Sequence, residues 1–267
     1  MLTVCALFYG PEQLSEPQLL AQRCLDGFLG LQDFSTVEEF RFGLNEAGPT
    51  LTKIVVEAAR ELQKTRPVRL FVCKEKGRKY PMMRRMFYGP GLPEPDKIAW
   101  FDDDSYLTEP TGLALHHLNS ALEIAEGVAV AGWRAYTWLR RGQAEWITQQ
   151  PWYRGQTFPA RRPHKVQFAL GGFWGSHWRF LKKHDYPFPA IRSQGGDYML
   201  GELCRQMGVH VEDVRVGVNV NASLSGETHK MPRRGDVHVP VGAEGYDPAD
   251  LSHQEIEVQQ YDPSELV

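Results

Sequence analysis

Cysteine is scarce in this chain of 267 residues: the four present, Cys5, Cys24, Cys73 and Cys204, stand far apart with no CxxC pair. That excludes a disulfide framework and a cysteine-built zinc site, and leaves buried thiols in a reducing compartment as the expectation. Long apolar runs are missing too. The apolar start Leu2–Phe8 has no basic segment before it and is too short to span a bilayer, so it reads as a first strand. No later stretch reaches membrane-crossing length, and a soluble cytoplasmic protein with no membrane span is the expectation. Internal repeats and low-complexity runs are absent. The remaining composition is ordinary, 42% hydrophobic, 24% charged and 11% aromatic, which excludes a disordered chain, a collagen and a coiled coil.

Net charge is also small, −3, but it averages over blocks of opposite sign. Residues 1–59 carry −5, 60–100 carry +7, 101–133 carry −6, 134–192 carry +9, 193–239 carry −1 and 240–267 carry −7. Blocks this large suggest separate surfaces for anions and cations. The last block has seven acidic and no basic residues, and reads as a surface tail.

Apolar periodicity divides the rest. After the first strand, Ser15-Glu16-Pro17-Gln18 has capping-box spacing and opens a helix through about Phe28. Val37–Leu44 is a second strand. Leu51, Ile54, Val55, Ala58, Ala59 and Leu62 recur with helical spacing behind Pro49-Thr50. Val68–Val72 is a third strand, Tyr80–Tyr88 a short basic helix, Lys97–Phe101 a fourth strand and Gly127–Trp133 a fifth. A late helix runs from Asp197 to Met207, and Val214, Val216, Val218 and Val220 alternate as a strand. Strands alternating with helices predict an α/β fold with a mostly parallel sheet, whose ligand site lies beyond the carboxyl ends of the strands.

The strongest chemical signal stands at such an end. Asp102-Asp103-Asp104 follows the apolar strand directly, and alternate residues on an extended chain share a side, which would direct Asp102 and Asp104 at one site. Hard divalent cations such as Mg²⁺ or Mn²⁺ take oxygens of this kind and complete their shell with phosphate and water. The bland alternative is an acidic turn capping the next helix. Upstream, the basic run from Lys74 through Arg78, Lys79 and Arg84 leaves the third strand on the same edge. A diphosphate needs such charge; a solvated loop is the alternative.

In this order the features resemble glycosyltransferases of the GT-A fold, in particular the large inverting family 2. The matching pieces are Leu2–Gly10, Arg41–Gly48, Gly77–Phe87, Asp102-Asp103-Asp104, Gly171-Gly172-Phe173-Trp174 and Gly195–Leu200, spanning roughly residues 2 to 230. The resemblance implies a Rossmann-like GT-A sheet flanked by helices in residues 1–239, with a nucleotide-sugar-binding half (1–104) and an acceptor half (105–239), followed by the acidic tail 240–267. It implies a nucleotide-sugar, most commonly a UDP-sugar, lying against Phe8, Tyr9, Asn45, Glu46, Lys74, Arg78, Lys79, Arg84, Asp102, Asp103, Gly172 and Lys230. A Mn²⁺ or Mg²⁺ ion would be held by Asp102, Asp104 and His229, and Asp197 would be the catalytic base. The family usually has Glu before that last Asp; here Gly196 replaces it.

The +9 block combines eleven basic residues with tryptophans, six of the chain's seven lying at or after Trp133. Basic groups neutralise phosphates and aromatic faces stack on exposed bases, so the segment suits a polyanionic acceptor. Three readings stand on these residues. One is a glycosyltransferase acting on a hydroxymethylated base in DNA, similar in role to phage enzymes that modify genomes and then resident in the host cytoplasm. A second is a glycosyltransferase for a bacterial surface glycan, and a third is a non-catalytic nucleotide- or nucleic-acid-binding protein.

Overall fold

The apolar start forms strand β1 (Leu2–Tyr9), seven of whose eight residues are buried. In a computed structural model of the protein, described for residues 1–10, 12, 15–73, 79–124, 127–139, 164–187, 196–220 and 258–266, the elements continue in chain order. They are α1 (Glu16–Leu29), β2 (Val37–Asn45), α2 (Pro49–Leu62), β3 (Val68–Cys73), α3 (Lys79–Tyr88), β4 (Lys97–Asp102), β5 (Tyr106–Leu107) and α4 (Leu113–Ile124). Then come β6 (Val128–Leu139), β7 (His164–His177), α5 (Trp178–Lys183), α6 (Gly196–Met207), β8 (His210–Asp213), β9 (Val218–Asn219) and β10 (Gln259–Tyr261).

Eight strands build one sheet in the order β10-β3-β2-β1-β4-β7-β6-β8. The pairs β1–β2, β1–β4, β2–β3 and β6–β8 are parallel, while β7 and β10 run against their neighbours. The expected α/β architecture with a mostly parallel sheet is therefore present. Unbroken burial from Leu2 to Phe8 on β1 and from Glu39 to Asn45 on β2 reflects helices on both faces, as parallel strands require.

Two apolar layers flank the sheet. On one face Phe8, Phe28, Phe40, Phe42, Phe101 and Phe173 pack in edge-to-face, tilted and stacked pairs at 5.1–6.0 Å between centroids. On the other, α3 turns Met82, Met83, Met86 and Phe87 onto Trp100 and Trp174, whose rings stack at 6.5 Å. Trp174 and Trp178 thus belong to the core. All four cysteines are free and buried, and burial pushes the Cys5 and Cys204 thiols up to about 12. Among the described residues no helix is long and apolar enough to cross a membrane.

Several local expectations change. Ser15 has helical dihedrals and makes no side-chain cap, because an N-cap must leave the helical region for its oxygen to reach back. The Val214–Val220 alternation is broken by a turn at Gly217, whose φ is +71°, and the chain passes from β8 in the main sheet to β9 beside β5. The fifth strand, expected over 127–133, continues to Leu139, paired through Arg134↔Ala169 to Leu139↔His164. That length makes β6 and β7 an arm extending past the end of β4, whose Phe101 pairs with Phe173. Finally, Gln259–Tyr261 adds an edge strand to β3 within the acidic segment read as a surface tail. Arg60 on α2 anchors its continuation through the carbonyls of Pro263 and Leu266, and Gln63 bonds Asp262.

Candidate active site

The parallel strands β1 to β4 end on one edge, and that edge carries the candidate residues. The nearest approach is among Lys79, Asp102 and Asp197. Lys79 opens α3, Asp102 closes β4, and the Lys79 Nζ lies 2.6 Å from Asp102 Oδ2. The other carboxylate oxygen, Oδ1, accepts the Trp100 indole N–H at 2.9 Å. Residues two apart on a strand face the same side, so Trp100, fully buried in its stack, fixes the Asp102 rotamer. Beside them, on β7, Gly171 leaves a gap: a Cβ there would stand 3.5 Å from Lys79 Nζ and 4.0 Å from an oxygen of both Asp102 and Asp197. Three charged groups from three elements therefore converge on one side-chain-free point.

Asp197 sits in the first turn of α6, which packs on β7. Its Oδ1 accepts the Tyr198 backbone N–H at 3.0 Å. Protein surrounds it on most sides, and burial raises its carboxyl above the usual carboxylate range, with the Lys79 ammonium opposing that shift. A raised carboxyl in a cleft is a proton acceptor tuned toward neutral pH. The α6 start is held by Tyr80, whose hydroxyl accepts the Gly196 N–H at 2.9 Å.

The aspartate run does not act as one extended strand. The Ser105 N–H bonds the Asp102 carbonyl at 3.0 Å, so the chain turns directly after Asp102 and the alternation that would align Asp102 with Asp104 is lost. The buried Cys24 thiol of α1, raised first by burial, feels Asp103 and Asp104 more strongly than Asp102; the turn carries those two toward α1 while Asp102 faces α3. Among the described residues no three His, Cys, Asp or Glu side chains gather to hold an ion by themselves. The donor chemistry nevertheless fits a hard divalent ion, which commonly needs only one or two carboxylates beside phosphate and water. Asp102 offers such oxygens at the cleft floor.

The other named residues fall into three groups. At the ends of β1 and β2, Tyr9 and Asn45 are register partners, and the Tyr9 hydroxyl hydrogen-bonds Glu46; burial and that carboxylate both raise the phenol. Glu46 has φ +51°, an uncommon conformation for a residue other than glycine, and its N–H bonds the Cys73 carbonyl at 3.2 Å. Gly172 lies buried on β7. A second group serves the scaffold: Phe8 is core against Phe42, and Arg84 binds the Asp185 carboxylate at 2.8 Å and the Pro187 carbonyl at 2.7 Å. Lys74, Arg78, His229 and Lys230 lie outside the described residues.

Sequence reasoning missed Tyr80, Trp100 and Glu12. The period-two rule placed Trp100 beside Asp102 and was available; Tyr80 had no local signal. Glu12 caps α2 through the Thr50 N–H at 3.0 Å and its hydroxyl, a contact across 38 residues.

On the arm, Tyr136 is half exposed, with Lys165 Nζ 3.9 Å from its ring centroid and the Arg134 guanidinium carbon at 5.9 Å. The remaining basic and aromatic residues of 140–163 lie outside the described residues.

No protein-family model matches the chain, and no curated protein does. Its structure is similar to that of a putative glucose-1-phosphate thymidylyltransferase from Bacillus anthracis, at 7% identity and a TM-score of 0.52, over 85% of this chain and 92% of that one. That is a likeness of fold. The mannosyltransferase PcManGT from Pyrobaculum calidifontis, solved with GDP-Man and Mn²⁺, matches at 12% identity and a TM-score of 0.49 over 79% of this chain. S. aureus TarS (1–349) matches at 11% identity and 0.46 over 76%. This chain spans about half of each of the last two, 54% in both cases.

Proposed function

We propose that the chain is a metal-dependent glycosyltransferase that moves a sugar from a nucleotide-sugar to an acceptor hydroxyl with inversion. The observation that carries the reading is the convergence of Asp102, Lys79 and Asp197 on the gap at Gly171, at the strand ends where α/β sheets bind ligands. Tyr9, Asn45 and Glu46 form the nucleoside rim, and Lys79 faces the diphosphate. A UDP-sugar is the donor the family resemblance favours.

Asp102 would hold the divalent ion, with His229 as a further candidate ligand; the turn that carries Asp104 toward α1 takes it out of the ligand set. When bound, the ion supplies charge that stabilises the departing diphosphate. The chain's own residues do the rest. Lys79 adds a second positive charge near the leaving group, and Trp100 keeps the Asp102 carboxylate oriented. Asp197 takes the proton from the acceptor hydroxyl as the anomeric carbon gains oxocarbenium character. Its raised carboxyl suits that task, because burial has already weakened its hold on the ionised form.

The acceptor enters along the β6–β7 arm. The +9 charge of residues 134–192 and the Tyr136–Lys165 pair support a polyanionic acceptor, a hydroxymethylated base in DNA, over a neutral glycan. The likeness to a thymidylyltransferase favours one second reading, nucleotidyl transfer to a sugar phosphate. Intact-mass screening of sugar nucleotides against hydroxymethylated DNA and an oligosaccharide pool tests the first reading. Pyrophosphate release from nucleoside triphosphates with sugar phosphates would favour the second. If neither substrate set is turned over, both readings fail.

A further inference from the structure

We infer that Lys79 is an exchangeable counter-ion: it neutralises Asp102 in the free protein and moves to the donor diphosphate when a divalent cation takes that carboxylate. The inference rests on the nucleotide-sugar reading of the site and adds a linkage between its two ligands.

Four observations support it. First, both Asp102 oxygens are engaged, Oδ1 by the Trp100 indole at 2.9 Å and Oδ2 by the Lys79 ammonium at 2.6 Å. Second, the two partners differ in freedom. Trp100 is fully buried between Phe87 and Trp174, whereas Lys79 is 24% exposed on a four-carbon stem. Third, a cation bound to Oδ2 at about 2.1 Å would stand within a few ångströms of an ammonium left in place. Like charges that close repel strongly in a partly buried cleft, so one must leave, and the flexible side chain is the one able to move. Fourth, the point that a Gly171 Cβ would occupy lies 3.5 Å from Nζ and 4.0 Å from an Asp197 oxygen, so no side chain of β7 at that position bars the ammonium from moving toward Asp197.

A diphosphate supplies the new partner, since an ammonium pairs as readily with phosphate oxygens as with a carboxylate. The metal alone must then break an existing ion pair, while the metal with a diphosphate need not leave Lys79 unpaired. Metal and nucleotide affinities are therefore coupled through Lys79, and the coupling is reciprocal.

Titrating the full chain with Mn²⁺, read by loss of the aqueous Mn²⁺ paramagnetic resonance signal, tests this with and without UDP or GDP. Lys79→Met should bind Mn²⁺ alone about tenfold more tightly than the parent, a size typical of such couplings, and should lose most of the gain that diphosphate confers on the parent. Lys79→Arg should keep the parent pattern. If Lys79→Met binds Mn²⁺ alone no more tightly than the parent, the inference is overturned. A measurement on the unaltered protein guards against misfolded variants: amine acylation mapped by mass spectrometry should label Lys79 more in Mn²⁺ alone than in buffer, and less once diphosphate is added. No change in labelling also overturns it. If calorimetry detects no binding of either diphosphate, the nucleotide-sugar reading falls and the inference with it. If a diphosphate binds but neither Lys79 readout moves, only the inference falls.

Discussion

The Tyr80 hydroxyl accepts the backbone N–H of Gly196 at 2.9 Å across 116 residues of sequence. This bond joins the start of α3 to the start of α6 and thereby sets the distance between Lys79 and Asp197. It also requires glycine at position 196: a Cβ there would stand 2.3 Å from Tyr80 Cε1, 2.4 Å from Cζ and 2.5 Å from the hydroxyl oxygen.

Gly196→Ala should therefore displace Tyr80 or α6. Overpacking of this kind costs about 1–3 kcal/mol, and transfer should fall further than stability because Asp197 is the next residue. Urea unfolding together with a transfer assay checks both. Wild-type values in each would show that the contact is not constraining.

Asp197 makes a signed pH prediction. Its carboxyl is raised by burial, so the folded protein holds that proton more tightly than the unfolded chain does. The resulting stability is present below the ordinary carboxylate value of 3.8 and is lost as pH rises through the folded-state value. Asp197→Asn should accordingly melt above the parent at pH values beyond the folded-state one, and the advantage should vanish below about pH 4. Donor affinity should be nearly unchanged and transfer removed. A variant melting below the parent at neutral pH would contradict the burial cause.

Arg41 lies fully buried on β2. It bonds Glu39 at 2.9 Å and the carbonyls of Met86 and Pro93 at 2.8 Å each, tying the far end of the sheet to the α3–β4 connection. Arg41→Ala strands a buried carboxylate that Arg69 alone must balance, which should cost about 3–5 kcal/mol. Chemical denaturation measures this, and a loss under about 1 kcal/mol would mean the network relaxes freely.

Ending the chain after Glu257 removes β10 and leaves the edge of β3 open. Open edges pair with other chains, so the truncated protein should self-associate in light scattering and lose stability. A monomer as stable as the parent would make the edge strand dispensable.

Much of this architecture was legible in the residues. The apolar runs of β1 to β4 and the amphipathic spacing of α2 identify the parallel core, because burial on one or both faces leaves a periodic trace in any chain. The position of Asp102 at a strand end followed from the same trace. The turn after it did not, and neither did the length of β6 and β7 or the return of Gln259–Tyr261 to the sheet, since each depends on a partner strand distant in sequence.

Local periodicity and composition dictate the α/β class, the strand ends and the types of charge gathered there. The packing of distant elements brings Lys79 to Asp102, sets Trp100 on the second oxygen, and seats α6 on Tyr80 so that Asp197 faces the same gap. Those contacts depend on the distances between neighbouring elements, and such distances are set by how whole faces pack.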